Sequence, residues 1–178
     1  MNDSVASFHV QKETKARIED VIPHYLEGEL LKTALDFAAY MRANKMQIKW
    51  DAWNRWKAYH KSKVLCWVTL DLFVRPVTWV VSPCLANINK YEESVICEGL
   101  QEFVWNSFKR CKSCPGCRRK EHNIEKSYTI LNKELLGICG EAYYVNNNKV
   151  YFVNPDETAV GRIKKLLELE KTPRESEK

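Results

Sequence analysis

The run Val64-Leu65-Cys66-Trp67-Val68-Thr69-Leu70, followed by Thr78-Trp79-Val80-Val81-Ser82, is the strongest strand pattern in this chain. Both segments are rich in β-branched and aromatic side chains, which suit a pleated, half-buried surface. Arg75-Pro76 between them reads as a turn or strand break, because proline has no backbone donor to give a ladder. An antiparallel pair is the simplest arrangement.

Upstream, Trp50, Trp53 and Trp56 recur every three residues and are followed by Tyr59. On a helical turn these tryptophans share a face; on a strand they alternate. Three uses compete. Core packing is the first, since large aromatics dominate small cores. The second is an aromatic-lined pocket for a planar or cationic ligand, formed by Trp50, Trp53, Trp56 and Tyr59. The third is a stacking surface for single-stranded nucleic acid, because Arg55, Lys57, Lys61 and Lys63 interleave with Trp53, Trp56 and Tyr59.

Helical periodicity flanks this region. From His24 to Asn44, Leu30, Ala34, Phe37 and Met41 repeat at helical steps, and Leu31, Leu35 and Ala38 widen the stripe. A stripe that wide needs a sheet or another helix to cover it. Residues 1–22 are polar and mixed in charge, which predicts a flexible arm with at most a short helix over Glu13–Val21. Asn89 to Lys109 predicts a second helix, weakened by Gly99 by about 1 kcal/mol of helix propensity. Tyr128-Thr129-Ile130-Leu131 and Glu134-Leu135-Leu136 around Asn132-Lys133 predict a short hairpin. Two further strands are expected at 141–145 and 149–153, around Asn146-Asn147-Asn148. A last helix at 156–170 opens with Asn154 as cap, Pro155 at the first helical position and Glu157 at a capping-box spacing. Residues 171–178 are expected to be a disordered tail.

This order predicts an α+β fold. One domain at 23–170 would hold an antiparallel sheet packed by about three helices, at 24–44, 89–109 and 156–170, with a Cys-rich metal-binding loop. The length of 178 residues suits a single domain.

The loop follows the second predicted helix. Cys111, Cys114 and Cys117 each stand two intervening residues apart, and Pro115-Gly116 lets the chain fold back so that successive thiolates converge. The hairpin brings Cys139 round as a fourth ligand. Four thiolates suit structural Zn²⁺, which is typically four-coordinate and closed. A 4Fe-4S cluster is the alternative, since similar spacings occur in cluster loops. Free thiols or a redox pair form a third reading, although the βαβ context of a redox motif is missing. His122 could replace one cysteine. Cys66, Cys84 and Cys97 lie in apolar surroundings and read as small buried hydrophobes.

The charge is unevenly spread. Lys109, Arg110, Lys112, Arg118, Arg119 and Lys120 surround the cysteines with no acid among them, so the rest of the +5 chain sums to about −1. Balancing a tetrathiolate site explains these cations first. Phosphate contacts with nucleic acid are the second explanation, although the spacing is not that of a DNA-reading zinc finger. No glycine-rich phosphate loop, His-Glu-x-x-His or Gly-x-Ser-x-Gly motif is present. His60 beside Tyr59 is a possible acid or base, with an exposed strand-end histidine as the default.

Several segments together resemble a group of small uncharacterised bacterial proteins with a Trp-rich strand region and a downstream cysteine cluster. They are Trp56-Lys57-x-Tyr59 leading into Lys63-Val64-Leu65-Cys66, Glu102-Phe103-Val104-Trp105, Thr129-Ile130-Leu131-Asn132-Lys133-Glu134-Leu135 before Cys139, and Val153-Asn154-Pro155-Asp156. The resemblance spans roughly residues 25–170 and implies a cytoplasmic bacterial protein, without naming an activity or a catalytic residue. The functional expectation is a non-enzymatic, zinc-stabilised module that binds a small molecule or protein. The alternatives are a nucleic-acid-associated protein using the basic cysteine loop and an iron–sulfur redox protein. No apolar stretch reaches the roughly 20 residues that span a bilayer, and odd, clustered cysteines point to a reducing compartment.

Overall fold

Strands need partners for their backbone donors, and most of this chain's strands pair with the next in sequence. In a computed structural model, which describes residues 5–71, 76–85, 88–107, 127–131, 133–136 and 150–171, five strands form one antiparallel sheet in the order β1-β2-β3-β4-β7. They are β1 (Gln47–Ala52), β2 (Arg55–His60), β3 (Lys63–Asp71), β4 (Thr78–Pro83) and β7 (Phe152–Val153). A separate hairpin joins β5 (Ser127–Ile130) to β6 (Lys133–Leu136), as the turn chemistry around Asn132-Lys133 predicts. With the helices below, the fold is α+β.

The expected central pair holds, with Val68 opposite Val81 and Thr69 opposite Val80. The sheet also extends upstream through the tryptophan-rich stretch, which is a hairpin. Trp50 pairs with Trp56 and Lys49 with Lys57, and the turn runs through Trp53-Asn54. Asn54 takes a left-handed φ of 53°, a conformation asparagine tolerates better than most residues.

Six α-helices are described: α1 (Phe8–Thr14), α2 (Ile18–Val21), α3 (Gly28–Ala43), α4 (Glu92–Cys97), α5 (Gln101–Trp105) and α6 (Glu157–Lys171). On α3, Ala34, Phe37, Ala38 and Met41 are buried; on α6, Val160, Ile163, Leu166 and Leu167 are buried. These stripes cover one face of the sheet, the inner face, which carries Trp56, Ala58, Val68, Leu70, Trp79 and Val81. The Phe37 and Trp79 rings, 6.0 Å apart, mark the junction of α3 with β4. None of the described helices is long and apolar enough to cross a membrane.

Three expectations need correction. Residues 8–22 are not a loose arm: α1, α2 and a 3-10 turn at Ile22–His24 bring Ala16, Ile18, Val21 and Ile22 into the core. The region reads as polar because its apolar positions are few, yet four of the six, Ala16, Ile18, Val21 and Ile22, are buried. The helix expected at 89–109 is two short helices, since Gly99 takes φ +64° and ends the first. Asn154 does not cap the last helix. Asp156 does so, accepting the Ala159 amide at 2.7 Å. Asn154 instead ties the end of edge strand β7 to β4: its side-chain oxygen accepts the Trp79 amide at 2.9 Å and its own amide donates to the Trp79 carbonyl at 2.8 Å. Of the strand expected at 149–153, Phe152–Val153 form β7, while the strand expected at 141–145, Lys149 and the tail beyond Lys171 lie outside the described residues.

Candidate functional site

Among the described residues, the three tryptophans stand against the chain's own N-terminal segment. Each indole N–H is turned toward residues 6–16. Trp56, 1 % exposed, donates to the Ala16 carbonyl at 2.8 Å. Trp50 donates to the Gln11 side-chain oxygen at 3.3 Å, with the Lys15 ammonium 4.4 Å from its ring centroid. Trp53, in the turn, reaches the Ala6 carbonyl at 3.5 Å and meets Phe8 edge-on. Gln11 locks this clasp. Its amide donates to Asn54 Oδ1 at 2.7 Å and to the Ala6 carbonyl at 3.1 Å, and its oxygen accepts the Asn54 amide at 3.0 Å. The expected set of Trp50, Trp53, Trp56 and Tyr59 is thus divided: the tryptophans meet the N-terminal segment, and Tyr59 lies on the other side of the sheet.

Tyr59 stands on the opposite, outer face of the sheet. Strand alternation places Arg55, Lys57 and Tyr59 there, between buried Trp56 and Ala58. Register then aligns neighbours across the strands. Lys49, Lys57, Trp67 and Ser82 form one row, because Lys49 pairs with Lys57, Lys57 with Trp67, and Trp67 with Ser82. Lys49 is exposed, and the other three are half-buried. The Lys49 ammonium lies 5.3 Å from the Tyr59 ring centroid. Beside it opens a cleft of about 340 Å³ lined by Lys45, Gln47, Lys49, Tyr59, Lys61 and Ser62. Three of those residues are lysines and none is a carboxylate.

Residues 45–63 carry six Lys or Arg and one acid, Asp51. Asp51 is bridged by Arg55 and Lys57, both at 2.6 Å. Burial alone would raise its carboxyl pKa, but the Lys57 hydrogen bond and the Arg55 charge outweigh that and hold it below the usual value. Once the 109–120 run is also set aside, the remainder of the +5 chain sums to −6. Positive charge is thus concentrated in the β1–β2 hairpin and the cysteine loop. A second cleft of about 220 Å³ between α3 and α6 mixes Glu29, Asp36 and Glu157 with Lys32 and Lys164, so it favours neither sign of ligand.

Cys111, Cys114, Cys117 and Cys139 lie outside the described residues, as do His122 and the basic set Lys109, Arg110, Lys112, Arg118, Arg119 and Lys120. Among the described residues no group of three or more His, Cys, Asp or Glu could hold a metal ion. Cys66 and Cys84 are buried thiols as expected, whereas Cys97 is exposed on the solvent side of α4. Burial pushes the Cys66 thiol well above its ordinary value and Cys84 up to about 12, so neither is a thiolate near neutral pH. His60 is half-buried rather than exposed, and its Nδ1 has no hydrogen-bond partner among the described residues.

Sequence reasoning missed Lys45, Lys49 and Trp67 as members of one surface. The alternation of Arg55, Lys57 and Tyr59 with Trp56 and Ala58 was the available signal. Compared with protein-family models, with curated proteins and with solved structures, the chain matches none.

Proposed function

We propose that this protein is a non-enzymatic binding module for a polyanionic ligand, which it holds on the outer face of β1, β2 and β3. The observation that carries the reading is the cleft around Tyr59, where Lys45, Lys49 and Lys61 converge with no carboxylate in the lining. A surface of one sign attracts an oppositely charged ligand, and neutralising several of its charges releases counterions. The reading also includes a metal, zinc, held by Cys111, Cys114, Cys117 and Cys139. Their spacing supports it, and such a centre would fix a second cluster of cations, Lys109 to Lys120, in place.

Binding of a labelled sulfated polysaccharide, followed by anisotropy from about 50 mM to about 200 mM salt, tests the surface. The intact chain should bind, with affinity falling steeply as salt rises. The combined variant Lys45→Glu, Lys49→Glu and Lys61→Glu should bind at least about tenfold more weakly. Equal binding by that variant would remove the cleft from the account. Metal analysis after anaerobic purification tests the cysteine site: one zinc per chain, lost in Cys139→Ser, is expected. Stoichiometric iron with visible absorbance would replace zinc with a cluster, and absence of both metals would end the metal reading.

A further inference from the structure

We infer that the polyanion is single-stranded nucleic acid, with bases stacked on Tyr59 and Trp67 and phosphates on Lys49, Lys57 and Lys61; this rests on the polyanion reading above. Charge alone suits any polyphosphate or sulfated chain. What narrows the choice is the placement of two aromatic rings within the basic surface. Trp67 sits directly across from Lys57, which sits across from Lys49. Tyr59 is two residues from Lys57 on the same face, with the Lys49 ammonium near its ring.

The large aromatics on the inner face are taken up within the fold: Trp56 and Trp79 are at most 1 % exposed, and the Trp50 indole N–H bonds Gln11. Trp53, in the β1–β2 turn, is 41 % exposed but stands against Phe8 and the Ala6 carbonyl rather than among the lysines. Trp67 and Tyr59 alternate to the other side and stay half-buried among lysines. A ring held on a strand is pre-oriented, so little freedom is lost when a planar group stacks on it. Every base has such a planar face, and sequence-tolerant stacking combined with a cationic groove is how single strands are commonly held. Sheet faces carrying aromatics are a recurrent solution for RNA.

A duplex meets this surface less well. Its bases are stacked on one another and offer no free face, so the phosphates alone could use the lysines. The same holds for a sulfated polysaccharide, which has no aromatic ring. The surface should therefore rank its ligands, with single strands first. Asp51 sets a limit on that affinity, because it occupies Arg55 and Lys57 at 2.6 Å each. Asp51→Asn frees both cations and should tighten single-strand binding while making it more sensitive to salt.

Anisotropy with the full chain as purified tests the inference. The probes are fluorescein-labelled oligo-dT and oligo-rU of about 12 nucleotides, a duplex of the same length and the labelled polysaccharide. Single strands should bind about tenfold or more tightly than the duplex. Tyr59→Ala and Trp67→Leu should each weaken single-strand binding by about tenfold, and by more than they weaken polysaccharide binding. Far-UV circular dichroism of each variant checks its fold, and Tyr59→Phe, which keeps the ring, should bind like the parent. If the duplex binds as well as single strands, or if both ring variants bind single strands normally, stacking is overturned while the polyanion reading stands. If none of the probes binds, both are overturned.

Discussion

Trp56 and Trp67 stand on adjacent strands within one register step of each other, since Trp56 pairs with Val68 and Trp67 with Lys57. One lies under the N-terminal segment, 1 % exposed, with its indole N–H on the Ala16 carbonyl. The other turns to the opposite face and is half-buried beside lysine and serine. The inner face is closed by α3, α6 and residues 6–22, so aromatics there contribute to folding. On the outer face the same residue type sits among cations. The difference teaches that residue type says little about use here; the parity of the strand position separates the two roles.

Truncation gives the largest contrast between the faces. Trp56→Ala should lower the unfolding free energy by about 4 kcal/mol, because it empties a fully enclosed site and leaves the Ala16 carbonyl without its partner. Trp67→Ala removes a side chain that is only part-buried, and the loss should be about 1 kcal/mol. Urea denaturation of both variants measures the difference. Similar losses would mean that Trp67 is packed as an inner-face residue and would remove the contrast.

Gln11 tests whether the N-terminal clasp belongs to the inner face or merely rests on it. Its buried amide makes every hydrogen bond it has room for, and Gln11→Leu would leave the Asn54 amide and the Trp50 indole without that acceptor. A loss of about 2 kcal/mol is expected, with faster hydrogen exchange at Asn54. If only residues 6–16 loosen while the urea midpoint is unchanged, the clasp is a separate, weaker unit. Ligand binding on the outer face should be unaffected in either case.

How much of this was legible beforehand follows from how local each signal is. β3, β4, the hairpin around Asn132-Lys133 and the last helix each carry their pattern within a few residues, so they could be read directly. The β1–β2 hairpin could not. Trp50, Trp53 and Trp56 at steps of three suggest a helical face, and the strand period appears only once Trp53-Asn54 is recognised as the turn. The burial of residues 8–22 depends on Gln11 meeting Asn54, a contact 43 positions apart that no local pattern announces. The outer face was hidden for the same reason: Lys49, Lys57 and Trp67 become neighbours through register alone. Asn154 shows a local signal read correctly in chemistry and wrongly in place, since its side chain does accept a backbone amide, that of Trp79 rather than one in the helix. The cysteine site remains a statement about spacing.

The smallest effect concerns the outer face's own electrostatics. The Asp51 carboxyl is held below its usual value by Lys57 and Arg55 despite its burial. A carboxylate with a lowered folded-state pKa contributes stability that is present above its unfolded value and is lost as pH falls through the folded one. Arg55→Ala with Lys57→Ala removes that contribution. At neutral pH the double variant should be destabilised by no more than about 1 kcal/mol, as is usual for pairs near the surface. As pH falls below the ordinary aspartate value of 3.8, the parent should lose this advantage and the two unfolding curves should converge. Raising the salt at neutral pH should narrow the gap as well, because exposed pairs are screened. A gap that persists in acid would mean that Arg55 and Lys57 stabilise the sheet by packing their aliphatic stems over Trp67 and Tyr59, making the outer face a structural layer in its own right.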